Sequence, residues 1–323
     1  MKGILIVVNK PKISVLMPVY NVEKYIEEAL CSLINQTLKD IEVICINDCS
    51  TDSSLDIIKK YSEKNDRIKY IKQSTNKGEI VAKYTGLQMA QAEYIGTLDP
   101  DDYLVPECYE TMYNKAIEGD FDVVISNILC VRENGRIKKG KIISPYQSSN
   151  HLSDVDSFEI LKYANQGTTN KIIKKDLLLN AFNFKERDIW KDTYQFWRCY
   201  TSKACHGCLI DKNFYYYRQR RSSITHYCQD SKDRYNSFIK TIYLIIKYLS
   251  ENSIYGLYKD TLVDYIYKSI AIHRCIEKYF RQQDLDKITN NFGLEGVEIP
   301  FKKETYSKFF SLKQLKNINK RVK

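Results

Sequence analysis

The chain has 323 residues, 43% of them hydrophobic and 28% charged, and a chain of this length can bury roughly 75% of its unfolded surface in one large domain or a domain with an extension. No segment approaches 18 consecutive apolar residues, which excludes a membrane-spanning helix. The formal net charge of +10 belongs mainly to the end of the chain: residues 301–323 hold eight basic residues against Glu304 alone, while residues 229–300 balance ten basic against ten acidic. A uniform basic face for nucleic acid is not expected from this distribution; the charge is a property of the tail.

The opening MKGILIVVNKPK has a short apolar run but no small-residue cleavage site, so it is expected to be a lead-in (1–11) and not a signal peptide. From there strand and helix alternate. ISVLMP (13–18) is a strand. Ile26, Ala29, Leu30, Leu33 and Ile34 follow at the i, i+3, i+4, i+7, i+8 spacing of a helix. IEVICIN (41–47) is a nearly continuous apolar run, the pattern of a strand buried on both faces of a parallel sheet. The loop DCSTDSS offers several helix N-caps. IKYI (68–71) is the third strand, and a helix carrying Ile80, Tyr84 and Leu87 comes next. YIGTL (94–98) and FDVVIS (121–126) are further strands, separated by a helix opening at Pro106. Strand, helix, strand, helix in this order predicts an open, mostly parallel α/β sheet with right-handed crossovers.

Ligands of such sheets sit at the carboxyl ends of the strands. The loops there are PVYN (18–21), NDCSTD (47–52) and DPDD (99–102). The last of these puts three carboxylates into four positions after an apolar run, a costly arrangement unless a cation or a set of donors lies among them. No G-x-G-x-x-G follows the first strand and no Walker A sequence occurs. A carboxylate-held Mn²⁺ or Mg²⁺ shared with diphosphate oxygens is then the natural alternative to a glycine loop.

PVYN, NDCSTD, NKG (76–78) and YIGTLDPDDYLVP (94–106), in this order between predicted strands, resemble the family-2 glycosyltransferases of GT-A fold. The resemblance covers roughly residues 12–126. NKIIKKDLL (170–178), KDTYQFW (191–197) and YYYRQRRSSIT (215–225) are similar to the acceptor-side segments of bacterial members that build surface polysaccharides and lipooligosaccharides. The resemblance implies an inverting hexosyltransferase-type enzyme, a nucleotide-sugar donor (usually a UDP-sugar), a divalent cation, and a glycan or lipid-linked acceptor. It implies residues 12–126 as the nucleotide-sugar half of the domain and 127–228 as the acceptor half. Residues 229–300 are predicted to be a helical extension.

Carried over position by position, the resemblance puts Pro18, Tyr20 and Asn21 along the nucleobase and ribose. It gives Asp48 to the uracil ring and Lys77 and Lys83 to the nucleotide. Asp99 and Asp101 become the D-x-D metal pair, with Asp101 the direct ligand. Asp192 becomes the general base that takes the proton of the attacking hydroxyl. Asp102, Arg218, Arg220 and Arg221 are the candidates around the diphosphate and acceptor, where cations would neutralise the leaving group. The chain departs from the family at Lys191, where a glutamate usually precedes the base. A lysine there would depress the pKa of Asp192 and motivates the alternative of a catalytically inactive relative that binds nucleotide sugar or glycan without turnover.

Two further stretches carry competing readings. CHGC (205–208), near Cys199, His226 and Cys228, has one half of a zinc-ligand spacing, but buried reduced thiols are the default for the ten cysteines of a chain expected in the cytoplasm. The tail 301–323 spaces Tyr306, Phe309, Phe310, Leu315, Ile318 and Val322 among lysines. It is expected either as a disordered basic end or as an amphipathic segment meeting anionic lipid at the inner face of the cell membrane. No motif supports nucleic-acid binding.

Overall fold

The computed structural model describes residues 10–143, 154–164, 167–181, 191–203, 205–220 and 232–272. Two compact units share the chain: residues 1–184 with 199–219, and residues 185–198 with 220–323.

The first unit is built on nine strands in the order β3-β2-β1-β4-β8-β6-β9-β5, with β7 beside β6. These are β1 (Ile13–Val19), β2 (Ile41–Asn47), β3 (Ile68–Lys72), β4 (Tyr94–Thr97), β5 (Tyr103–Leu104), β6 (Val123–Arg132), β7 (Ile137–Ile143), β8 (Lys171–Lys174) and β9 (Gly207–Gln219). Strands β1 to β4 pair in parallel. Both β4 and β6 pair antiparallel to β8, and β9 is parallel to β6. Six strands therefore point the same way, and only β5, β7 and β8 run against them. The mostly parallel α/β sheet expected from the sequence is what forms. The divide expected at residue 126 falls inside β6, because that strand continues to Arg132 alongside β9.

The helices follow from the spacing of apolar residues. Helix α1 (Ile26–Ile34) buries Ile26, Ala29, Leu30 and Leu33 of the predicted stripe in the core shared with β1 and β2, and Ile34 is partly buried against it. Helices α2 (Ser54–Ser62), α3 (Glu79–Met89) and α4 (Cys108–Glu118) are the remaining crossovers. Short helices α5 (Ser157–Tyr163) and α6 (Lys175–Ala181) flank β8. Gly96 in β4 is a close-approach glycine: a Cβ there would stand 2.7 Å from the Tyr109 hydroxyl, so α4 lies directly on the strand that leads into DPDD.

At the amino-terminal edge of the sheet, Glu42 is buried and fully engaged. Its Oε1 accepts from the Ser14 hydroxyl (2.5 Å) and from the Gln91 N–H (2.7 Å), and its Oε2 from Lys69 Nζ (2.7 Å). Burial alone would raise its pKa; the Lys69, Ser14 and Gln91 hydrogen bonds outweigh burial and hold the carboxyl below the ordinary glutamate range. A depressed folded-state pKa means stability that is fully present above the unfolded value, about 4.3, and is lost as pH falls through the folded value. Glu42→Gln is expected to lower stability by about 1–3 kcal/mol near neutral pH. The gap in melting temperature to wild type should narrow as pH falls below the unfolded value of about 4.3, and thermal melts across pH check it.

In the second unit, α8 (Lys232–Glu251) buries Phe238, Ile242, Ile245, Ile246 and Leu249, the face predicted from the sequence. Helix α9 (Tyr255–Ile272) buries Leu262 and Ile266. Helix α7 (Lys191–Thr201) contributes Trp197, fully buried, whose ring lies 6.0 Å from Tyr265. Of the predicted helical extension, residues 273–300 lie outside the described residues, as does the tail 301–323. No helix among the described residues is long and apolar enough to cross a membrane.

Candidate active site

Six parallel strands deliver their carboxyl ends to one edge, and the three predicted loops leave from it. Pro18 lies in β1 just past the last β4 pair, Leu16 with Thr97, where its missing N–H leaves no ladder bond unmade. It is buried, whereas Tyr20 is 47% exposed beside it.

The loops after β1 and β2 are laced together. Asn21, at φ 50, accepts from the Thr51 N–H (2.8 Å) through Oδ1 and donates its own N–H to Ser50 Oγ (3.2 Å). Glu23 N–H reaches Asp52 Oδ2 at 3.0 Å, and Glu23 Oε2 accepts from Ser53 N–H at 2.9 Å. Burial would raise the Asp52 pKa, but the Ser54 hydroxyl and the N–H groups of Glu23 and Ser54 keep it below the usual aspartate value. Asn21 thus works as a tie between the loops in this structure.

Asp48 is buried at the end of β2, and both its oxygens are occupied: Oδ1 accepts from the Lys77 N–H (2.8 Å) and Oδ2 from the Gly78 N–H (2.7 Å). The carboxylate therefore holds the NKG turn at the mouth of α3. Gly78 sits at φ +86, a conformation that favours glycine, as the residue before the helix. Lys77 meets Asp48 through its backbone, with its side chain exposed. Lys83 is buried one turn into α3 in an ion pair with Glu79.

Two residues here escaped the sequence reading. Asn47, last in β2, and Gln73, whose N–H donates to Asn47 O (2.9 Å), each bury a side-chain amide that meets no hydrogen-bond partner among the described residues. A buried unpaired amide is unfavourable by about 1–3 kcal/mol, and a polar ligand at this edge would relieve it. The only available signal was position, one residue before Asp48 and one past β3.

The DPDD turn follows β4. Asp102 N–H donates to Asp99 O at 3.0 Å, closing a four-residue turn with Pro100 at its second position. Asp102 is 2% exposed; its Oδ2 accepts the Tyr215 hydroxyl and its Oδ1 the Arg218 N–H, each at 2.7 Å. Burial, then the Asp101 and Asp99 charges, push its pKa well up. Asp99 and Asp101 are half-buried beside it. Arg218 is itself buried, and all three guanidinium nitrogens are taken by Glu28, Asp101 O and Glu133 O. Asp102 and Arg218, both candidates for the diphosphate and acceptor, are thus hydrogen-bonded to each other and to neighbouring protein groups in this structure. Asp192 is the second residue of α7 and its side chain lies outside the described residues, as does Arg221. Arg220 belongs to the second unit.

The donor set suits a hard divalent cation. Two half-buried carboxylates stand two residues apart, and their charge adds to the resistance of Asp102 to ionising, a tension that a bound cation relieves. Among the described residues no group of three or more His, Cys, Asp or Glu is placed to hold a metal, so Asp99 and Asp101 are the carboxylates offered and ligand or water oxygens would complete the shell. The thiols of CHGC face different surroundings: Asp122 and Lys203 act on Cys205, Lys115 and Asp154 on Cys208.

Comparison with known proteins gives a consistent match. Residues 14–179 fit the model of glycosyl transferase family 2. The chain is 30% identical over 282 residues to a GalNAc(5)-diNAcBac-PP-undecaprenol beta-1,3-glucosyltransferase of Campylobacter jejuni, covering 84% of this chain and 85% of that one. It is 32% identical over 222 residues to glycosyltransferase GlyA of Streptococcus pneumoniae, covering 66% of this chain but 31% of the relative, so it spans under a third of that protein's length. Among solved structures, S. aureus TarS 1–349 in complex with UDP-GlcNAc superposes with a TM-score of 0.69 at 23% identity, over 95% of this chain and 89% of that one, a likeness of fold.

Proposed function

Since the chain belongs to glycosyl transferase family 2, we propose that it is an inverting glycosyltransferase. It moves a sugar from a nucleotide sugar, most simply a UDP-sugar, to a glycan or lipid-linked acceptor in bacterial surface-polysaccharide synthesis. The observation that carries this reading is the meeting, at one sheet edge, of the Asp48-held NKG turn and the half-buried Asp99 and Asp101. Similarity to TarS, seen with UDP-GlcNAc, and to a relative named for a PP-undecaprenol glycan supports the donor and acceptor classes.

In this reading Tyr20 and the laced loops bind the nucleoside, and Asn47 and Gln73 offer unpaired amides to its polar groups. Asp99 and Asp101 would hold Mn²⁺ or Mg²⁺, and that cation, when bound, would supply charge neutralisation for the departing diphosphate. Asp192 takes the proton of the acceptor hydroxyl as its oxygen bonds to the anomeric carbon; the bond to the diphosphate breaks on the opposite face, inverting the centre. A single carboxylate base is sufficient for this displacement. We place the reaction at the cytoplasmic face of the membrane, with residues 301–323 as the peripheral contact with anionic lipid.

The test is UDP release from a panel of UDP-sugars with Mn²⁺, Mg²⁺ or EDTA. Slow release from one donor, abolished by EDTA, is the expected result and identifies the sugar. Absence of both turnover and calorimetric UDP binding in the presence of Mn²⁺ would sink the donor assignment.

A further inference from the structure

The carboxylate turn is held from one strand, β9, through two of its residues. Tyr215 accepts the Asp99 N–H at its hydroxyl (3.3 Å) and donates that hydroxyl to Asp102 (2.7 Å). Arg218, three residues on, gives its main-chain N–H to Asp102 (2.7 Å) and its Nε to Asp101 O (2.9 Å). Asp99, Asp101 and Asp102 are therefore all tethered from β9, and Pro100 between them fixes its own φ.

The rest of the Arg218 side chain faces away from the turn. Nη1 donates to Glu133 O (2.7 Å), past the end of β6, and Nη2 pairs with Glu28 of α1 (2.5 Å). The guanidinium also lies over the rings of Tyr25 (5.6 Å) and Tyr103 (5.5 Å), and Tyr103 stacks on Tyr216 at 4.8 Å. Tyr25 closes the circuit by donating its hydroxyl to Glu133 (2.8 Å). One planar cation thus joins the turn to α1 and to the β6–β7 connection. A lysine, with a single point of charge, reproduces at most part of this arrangement.

We propose that Arg218 is a positioning residue that sets Asp99 and Asp101 for the divalent cation, acting through the Asp101 carbonyl and the Asp102 carboxylate, without itself contacting the diphosphate. This rests on reading the DPDD turn as the cation site of a nucleotide-sugar enzyme. It separates two roles for a basic residue near a diphosphate: direct neutralisation, which follows charge, and geometric support, which follows the fork of the guanidinium.

The experiment uses the full chain. Mn²⁺ binding in the presence of UDP is followed by the electron-paramagnetic-resonance signal of free Mn²⁺, and UDP binding in EDTA by calorimetry, for wild type, Arg218→Lys, Tyr215→Phe and Glu28→Gln. Arg218→Lys keeps the charge and is expected to weaken Mn²⁺ binding about 10- to 100-fold, the range for lost support behind a metal ligand. UDP affinity in EDTA should stay at the wild-type value. Tyr215→Phe, which deletes one hydroxyl, should weaken Mn²⁺ in the same direction, and it carries the test with Glu28→Gln if Arg218→Lys does not fold. Unchanged Mn²⁺ affinity in the folded variants overturns the proposal. So does an Arg218→Lys protein that keeps Mn²⁺ affinity but loses UDP in EDTA, the pattern of direct diphosphate contact. A wild type that binds UDP but no Mn²⁺ removes the cation reading of the turn, and this inference with it.

Discussion

Asp101→Ala is expected to reduce UDP release from the accepted donor by about 10²- to 10³-fold, the size of effect seen when one preorganised charge-stabilising group is lost. Asp102 cannot substitute, since both of its oxygens already receive hydrogen bonds from Tyr215 and Arg218 and it is buried among other carboxylates. Asp99 would remain as a single protein oxygen for the cation. The turn itself should survive: its closing bond runs from Asp102 N–H to Asp99 O, and the Arg218 contact is to the Asp101 main chain, so neither uses the deleted side chain. A wild-type melting temperature, wild-type UDP affinity in EDTA, and a turnover loss only partly reversed by raised Mn²⁺ form the expected set. Retention of more than a tenth of wild-type turnover would falsify Asp101 as a cation ligand.

Asp192→Asn is expected to lower turnover by about 10²- to 10⁴-fold, the usual contribution of a positioned general base, with donor and cation binding unchanged. Lys191 gives this test a second edge. A lysine charge near the carboxylate depresses its proton affinity, so if Asp192 is the base, Lys191→Glu should move the acidic limb of the pH–rate profile upward. A parent chain that binds UDP with Mn²⁺ yet releases none from any donor, with or without acceptor glycans, would favour the alternative of a binding protein without turnover. Measuring kcat and UDP affinity on the same samples distinguishes the two.

Much of the first half of the sheet was readable because its signals are local. The stripe Ile26, Ala29, Leu30, Leu33 and Ile34 specified α1, the continuous run at 41–47 specified a strand buried on both faces, and three polar loops after strands marked the carboxyl edge of the sheet. What sequence did not reveal is long-range. Strand β8 is four residues long and inserts between β4 and β6, and β9 reaches 13 residues to pair with both β6 and β5; no periodicity encodes those partners. The hydrogen bonds of Arg218 to Asp101, Glu133 and Glu28 depend on those pairings, so its charge in the sequence carries no sign of them. Asn47 and Gln73 were missed for a related reason, since an unpaired buried amide is a property of packing and has no motif.

The lacing of the loops after β1 and β2 also bears on the thermodynamics of binding. Asn21, Ser50, Thr51, Asp52 and Glu23 satisfy one another without any nucleotide, and Asp48 does the same for the turn at Lys77 and Gly78. Ordering a loop residue on association forfeits about 1–2 kcal/mol of backbone entropy, and segments already cross-tied lose little of it. Under the proposed reading, a nucleoside would dock on a preorganised cradle, its association limited by diffusion and orientation with no folding step.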